Sequence, residues 1–169
     1  LPNNWTESDT YWNGLIHHLE TKKSDLLVLP EMPFFKWITK SNAVDPHLWH
    51  KAVKEHDKWI DRLYELPVEM TIASRPVIEN STHLNRGFIF TREKGFLAVH
   101  DKYYLPDEPG YYEASWYDRG KENFDIIHIN GIRIGFLICT EIWFTKRARQ
   151  YLNQDIDILV CPRATPNTK

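Results

Sequence analysis

Two apolar runs that each close on a proline bracket this chain of 169 residues. Asp25-Leu26-Leu27-Val28-Leu29-Pro30-Glu31 reads as a short strand, apolar on both faces, and Ile156-Asp157-Ile158-Leu159-Val160-Cys161-Pro162 echoes it near the other end. Strands of that kind belong to sheets covered on both sides, usually by helices. The intervening sequence supplies such helices. Residues 8–22 carry Tyr11, Trp12, Leu15, Ile16 and Leu19 at helical spacing. Residues 46–66 form a longer amphipathic segment whose Trp49, Ala52, Trp59, Ile60 and Leu63 predict core packing. Asp45 is its N-cap and Pro46 its first position.

Strands are predicted over 71–74, 76–78, 86–91 and 96–100, with Glu93-Lys94-Gly95 as a turn between the last two. Asn130-Gly131 separates apolar runs at 124–129 and 132–138, a strong hairpin signal. A helix is predicted over 144–153. Residues 103–123 show no period and read as a long loop, which in a compact domain is usually functional. No repeat, low-complexity tract or linker divides the sequence, so one α/β domain over residues 1–169 is expected.

Composition removes several classes of function. Seven Trp, eight Tyr and eight Phe exclude a disordered chain. A net charge of −2 gives no basic excess for nucleic acid or an anionic membrane surface. The apolar runs fall far short of the roughly 20 residues of a membrane span. Two cysteines are too few for a disulfide framework and suit a reducing compartment. With no signal-peptide pattern at Leu1, a cytoplasmic protein is expected.

Three polar residues stand at the ends of apolar strands. Glu31 closes Leu-Val-Leu-Pro-Glu, Lys102 follows Phe-Leu-Ala-Val-His-Asp, and Cys139 closes Ile-Gly-Phe-Leu-Ile-Cys. Taken singly, each has an ordinary reading: a rim carboxylate, a surface lysine, a packed thiol. Taken together they offer a base, a cation and a nucleophile, the minimum for covalent acyl transfer.

Leu29-Pro30-Glu31, His100-Asp101-Lys102 and Gly135-Phe136-Leu137-Ile138-Cys139 resemble, in order, the three signature segments of the carbon–nitrogen hydrolase (nitrilase) superfamily. The run from Leu105 to Glu113, Leu-Pro-Asp-Glu-Pro-Gly-Tyr-Tyr-Glu, is similar to the N-carbamoylputrescine amidase branch. Arg149 and Leu159-Val160-Cys161-Pro162-Arg163-Ala164 also match the family pattern. Departures are Thr140 in place of an aromatic, Phe144-Thr145-Lys146 in place of Phe-Pro-Glu, and Asp155-Ile156 in place of Gly-Ala. The resemblance implies a four-layer α-β-β-α sandwich, incomplete in this chain. The family domain has a strand ahead of Leu1 and extends past Lys169, so residues 1–169 would be its N-terminal portion.

The resemblance also implies a chemistry. Cys139 attacks a carbonyl or nitrile carbon, and Glu31 exchanges protons with thiol, leaving group and water. Lys102 and the Thr140 backbone N–H hold the oxyanion, while Glu113, the family's second active-site glutamate, orients the substrate or assists Glu31. The expected substrate is a small amide or N-carbamoyl amine, cleaved through a thioester with release of ammonia. A nitrilase acting on an organic nitrile and a catalytically silent binding paralogue are the alternatives. The family also implies a homodimer or higher homo-oligomer.

No cofactor is expected, and the spacing of His17, His18, His47, His50 and His56 gives no closed metal site with cysteine. His100 suits a local hydrogen bond, with a Cys–His dyad as the alternative. Cys161 is expected to be a packed thiol. Tyr103, Tyr104, Tyr111, Tyr112, Trp116 and Tyr117 are candidate pocket walls.

Overall fold

The computed structural model describes residues 9–164, in which the two bracketing runs become strands of two different sheets. Ser8, at the predicted helix start, and the segment matched from Leu1 to Trp5 lie outside the described residues. The first sheet has the order β1 (Leu26–Glu31), β2 (Met70–Glu79), β3 (Thr82–Thr91), β4 (Gly95–Asp101). β1 runs parallel to β2 and the other pairs are antiparallel. After a small ribbon of β5 (Asp107–Glu108) and β6 (Tyr111–Tyr112) comes the second sheet. Its strands are β7 (Ile127–Ile129), β8 (Ile132–Phe136) and β9 (Ile158–Val160), with β8 and β9 parallel. The helices are α1 (Asp9–Lys22), α2 (Pro46–Arg62), the single turn α3 (Glu113–Trp116) and α4 (Thr145–Asn153).

Strand alternation sorts side chains into layers. Met70 and Ile72 of β2 and Ile89 of β3 pack against Ile129, Ile134, Phe136 and Val160 of the second sheet. The opposite face of the first sheet, including Ala73, Phe88 and Phe90, packs on Trp12, Leu15 and Leu19 of α1 and Trp59 of α2. On the far side of the second sheet, Tyr151 of α4 packs against Phe124 and Leu137. The result is a helix–sheet–sheet–helix sandwich, the layering implied by the sequence resemblance. Gly87 marks a close approach between the sheets, since a Cβ there would strike the Phe136 ring.

The local signals explain most elements. Asp45 Oδ1 accepts the N–H groups of His47 and Leu48 at 2.9 and 3.3 Å, and Pro46 begins the helix. α2 stops at Arg62 and a 3₁₀ turn carries Leu63–Glu65, so the predicted helical run to residue 66 is shorter. Asn130 and Gly131 sit at φ 49° and 77°, as a tight hairpin requires. Asn80 and Ser81, at φ 49° and 65°, make a second hairpin turn that lacks the glycine signal. β2 runs unbroken where two strands were predicted. Its Pro76 lies past the last β1 pair, Glu31 with Ser74, where β2 has lost a neighbour and tolerates a missing N–H. The expected loop over 103–123 contains the β5–β6 ribbon and α3.

His56 ties α2 to the segment that follows β1. Its Nε2 accepts the Phe34 N–H at 3.3 Å, and its Nδ1, 2.8 Å from the Ala52 carbonyl, donates to it. The ring is fully buried against Phe34. Burial pushes its pKa down to about 3, helped by Arg75, although the bond to Ala52 opposes the shift. The unfolded chain therefore takes up a proton near pH 6.5 that the folded chain refuses until about 3. This contribution costs nothing above 6.5 and destabilises progressively as pH falls through that window. Urea unfolding should show about 2 kcal/mol lost from this group between neutral pH and about pH 5. His56→Leu should remove that share of the slope, and an unchanged slope would exclude His56 as its source.

Candidate active site

Two bulges aim the site. Along β1 the pairs run Leu26 with Met70, Leu27 with Thr71 and Val28 with Ile72, then jump to Glu31 with Ser74. One extra residue on β1, near Pro30, reverses the alternation and turns Glu31 to the side of Ile72 and the second sheet. β4 repeats the device. Ala98 pairs with Phe88 but His100 pairs with Gly87, leaving Val99 as the extra residue. His100 and Lys102 thereby face inward, in line with Gly87 and Asn85 of β3.

Cys139 follows β8 at φ 48°, a backbone conformation uncommon for a residue with a side chain. Its N–H donates to the Pro162 carbonyl at 2.9 Å, so the end of β9 holds the turn. Met32, directly after Glu31, is also left-handed at φ 49°; its N–H donates to the Ser74 carbonyl at 3.2 Å. Such strain persists only where surrounding structure enforces it, and it collects at functional sites.

The turned-in groups meet without solvent. Lys102 Nζ donates to Glu31 Oε1 at 2.8 Å and to Glu113 Oε1 and Oε2 at 2.9 and 2.6 Å. The side chains of all three are 0% exposed or nearly so. Asn85 Nδ2 donates to Glu31 Oε1 at 2.8 Å, and the Lys102 N–H donates to the Asn85 carbonyl at 2.9 Å. Glu31 Oε2 is buried with no hydrogen-bond partner among the described residues, and the Glu31 carboxylate acts on the Cys139 thiol.

The electrostatics follow from this packing. Burial pulls Lys102 down, but the charges of Glu31, Glu113 and Cys139 outweigh it and hold the ammonium protonated well above its ordinary range. Burial, then Glu31, push Glu113 above the ordinary carboxylate range against the pull of Lys102. Burial and the Glu31 charge likewise push the Cys139 thiol up, with Lys102 opposing. Both effects favour the neutral thiol over the thiolate. A thiol so placed forms thiolate only with a base in contact.

Glu141, unremarked in the sequence, organises the turn that carries Cys139. It is fully buried and its carboxylate gathers four bonds: Ile138 N–H at 2.8 Å, Tyr103 N–H at 2.8 Å, Tyr104 N–H at 3.3 Å and His100 Nε2 at 2.8 Å. These join the residue before Cys139 to the residue after Lys102. His100 is thus committed to Glu141 and, at 3.2 Å from Nδ1, to the Asn123 carbonyl, in place of a dyad with Cys139. A carboxylate two positions past the nucleophile, in an otherwise apolar run, was the available signal for Glu141. Asn85, mid-strand, offered none.

The other predicted positions divide. Thr140 is buried and its Oγ1 donates to the Tyr104 carbonyl at 3.4 Å. Tyr111 lies where both Cys139 and Glu31 act on its hydroxyl. Trp116 and Tyr117 are core instead of pocket wall, packed with Met32, Ile38 and Trp49; the Tyr117 hydroxyl reaches Met32 Sδ at 3.0 Å. Tyr103 and Tyr104 pack with Phe124, and Tyr104 stacks on Phe144 at 3.7 Å. Cys161 is only partly packed, with Sγ 3.6 Å from the Cys139 carbonyl. Arg147 of α4 turns inward over Phe124, while Arg149 points outward. Among the described residues no group of three His, Cys, Asp or Glu side chains could hold a metal ion.

The fold has solved counterparts. A carbon–nitrogen hydrolase from Helicobacter pylori G27 superposes with TM-score 0.80 at 23% identity, over 96% of this chain and 58% of that one. An amidase from Nesterenkonia sp. AN1, solved as a mutant with acrylamide added at its active-site cysteine, gives 0.71 at 15% identity, over 99% and 65%. Residues 4–168 match the carbon–nitrogen hydrolase family model, and the chain belongs to that family. Among curated relatives, the N-carbamoylputrescine amidase of Arabidopsis thaliana is 26% identical over 154 residues, 89% of this chain and 51% of that protein. The chain thus spans about half the length of that relative.

Because Glu141 bonds three backbone N–H groups, Glu141→Gln should loosen the turn without emptying it. Hydrogen exchange at the Ile138 and Tyr103 amides should accelerate by at least about tenfold, and stability should fall by about 2–3 kcal/mol, as when a charged acceptor is lost. Unchanged protection at both amides would contradict this role.

Proposed function

We propose that Cys139, Glu31 and Lys102 hydrolyse a non-peptide carbon–nitrogen bond of a small amide or N-carbamoyl amine. The observation that carries this is the buried Glu31–Lys102–Glu113 cluster set against a thiol on a strained turn. Buried ion clusters are costly to hold, and perturbed groups of this kind concentrate at reactive sites. The family match and the name of the Arabidopsis relative support an amide or ureido substrate over a nitrile.

The steps balance within these residues. Glu31 takes the thiol proton as sulfur bonds to the carbonyl carbon. The carbonyl oxygen becomes an oxyanion held by the Lys102 ammonium and the Thr140 N–H; one such donor is worth about 3–4 kcal/mol of barrier. Glu31 returns its proton to the leaving nitrogen, the carbon–nitrogen bond breaks, and ammonia departs from a Cys139 thioester. Glu31 then deprotonates water, which attacks the thioester, releases the acid and restores the thiol. Glu113 holds Lys102 in place from the other side and orients the substrate. The same reading has the protein in the cytoplasm as a homo-oligomer, for which exposed Ile142, Phe144 and Leu152 offer apolar contact surface.

In the complete protein, Cys139→Ala should abolish ammonia release from small amides and ureido compounds. Glu31→Gln and Lys102→Ala should each lower kcat/KM by at least about 1,000-fold, and the double variant should fall little further, because the groups act as a unit. Ammonia release that survives Cys139→Ala would exclude the mechanism.

A further inference from the structure

We infer that Arg163 reads an anionic group, so that the substrate is a small amide or ureido compound carrying a carboxylate. This rests on the proposed hydrolase reading of the site and adds the charge of what it takes. Both neighbours of Arg163 touch the nucleophile: the Pro162 carbonyl accepts the Cys139 N–H at 2.9 Å, and the Ala164 carbonyl lies 3.9 Å from Cys139 Sγ. The Arg163 backbone is therefore fixed beside the thiol.

Its side chain reaches outward. The guanidinium stands 5.8 Å from the ring centroid of Trp143, itself 60% exposed. The Arg163 charge acts on the Tyr111 hydroxyl and on the Cys161 thiol, and Tyr111 also feels Cys139 and Glu31. Arg163 thus lies against Trp143 and acts on Tyr111, on which Cys139 and Glu31 also act. Glu108 bears on Tyr111 as well, but from the exposed ribbon.

The other cation that acts on the thiol is committed. Lys102 is saturated by Glu31 and Glu113. Elsewhere in the molecule Arg62, Arg75, Arg86, Arg133 and Arg147 each bond an Asp or Glu side chain. Arg163, among the described residues, has no carboxylate partner. A guanidinium near an aromatic face, with no carboxylate partner among the described residues, matches a carboxylate in geometry and charge. The same cation disfavours a substrate whose tail is a protonated amine.

Protection of Cys139 from iodoacetamide tests this without requiring turnover. The probes are the half-amides of malonate, succinate and glutarate, the neutral alkyl amides of equal length, and the matching terminal amino amides, with alkylation read by peptide mass spectrometry in the complete protein. At least one half-amide should protect better than its neutral counterpart. Its half-protecting concentration should rise about 10–100-fold in Arg163→Leu and less in Arg163→Lys, as for loss of charged hydrogen bonds. Arg163→Glu should shift protection toward the amino amides. Equal protection by neutral and anionic probes, or protection by half-amides that survives Arg163→Leu, overturns the inference. Arg163-dependent protection without any ammonia release would keep the inference and sink the hydrolase reading. Ammonia release with Arg163-independent protection would do the reverse.

Discussion

A single ammonium between two carboxylates, all without access to water, is the interaction on which the site depends. Lys102 Nζ lies within 2.9 Å of oxygens from both Glu31 and Glu113. Removing three ionisable groups from water is expensive, and hydrophobic replacements of similar shape would often stabilise a fold better. Lys102 is held charged, Glu113 is driven toward its protonated form, and Glu31 Oε2 is left without a hydrogen-bond partner among the described residues. Asn85 helps to hold the cluster's geometry, since its Nδ2 donates to Glu31 Oε1 and its carbonyl accepts the Lys102 N–H.

The sandwich serves that cluster through its irregularities. Regular alternation would turn Glu31 to the side of Leu27 and Leu29, which pack with the helices, and would turn Lys102 away from Asn85. One extra residue in each edge strand of the first sheet reverses both. The second sheet adds Cys139 at the point where β8 gives way to a left-handed turn, and Glu141 bolts that turn to the segment after Lys102. Fold and site are joined where strand regularity fails.

Much of this was legible in the sequence because strong local physics controls it. Asp45 with Pro46, the Asn130-Gly131 hairpin and the proline-closed strands each fix an element by short-range chemistry. Glu31, Lys102 and Cys139 stood out as polar residues ending apolar strands. The bulges did not, since an extra residue in a strand leaves no signature until its partner is known. Glu141 and Asn85 look like ordinary surface or mid-strand polar residues until the fold buries them. Trp116 and Tyr117 belong to the core although their loop setting suggested a pocket, because a single turn of α3 folds them under Met32 and Trp49.

The central claim is that Cys139 becomes acylated. Acid quenching of the complete protein during turnover of a small amide, followed by peptide mass spectrometry, measures this directly. The account predicts the acyl mass on the Cys139 peptide, labile to hydroxylamine as a thioester is. Turnover with no acyl mass on Cys139, or with the acyl group on Cys161, would contradict it.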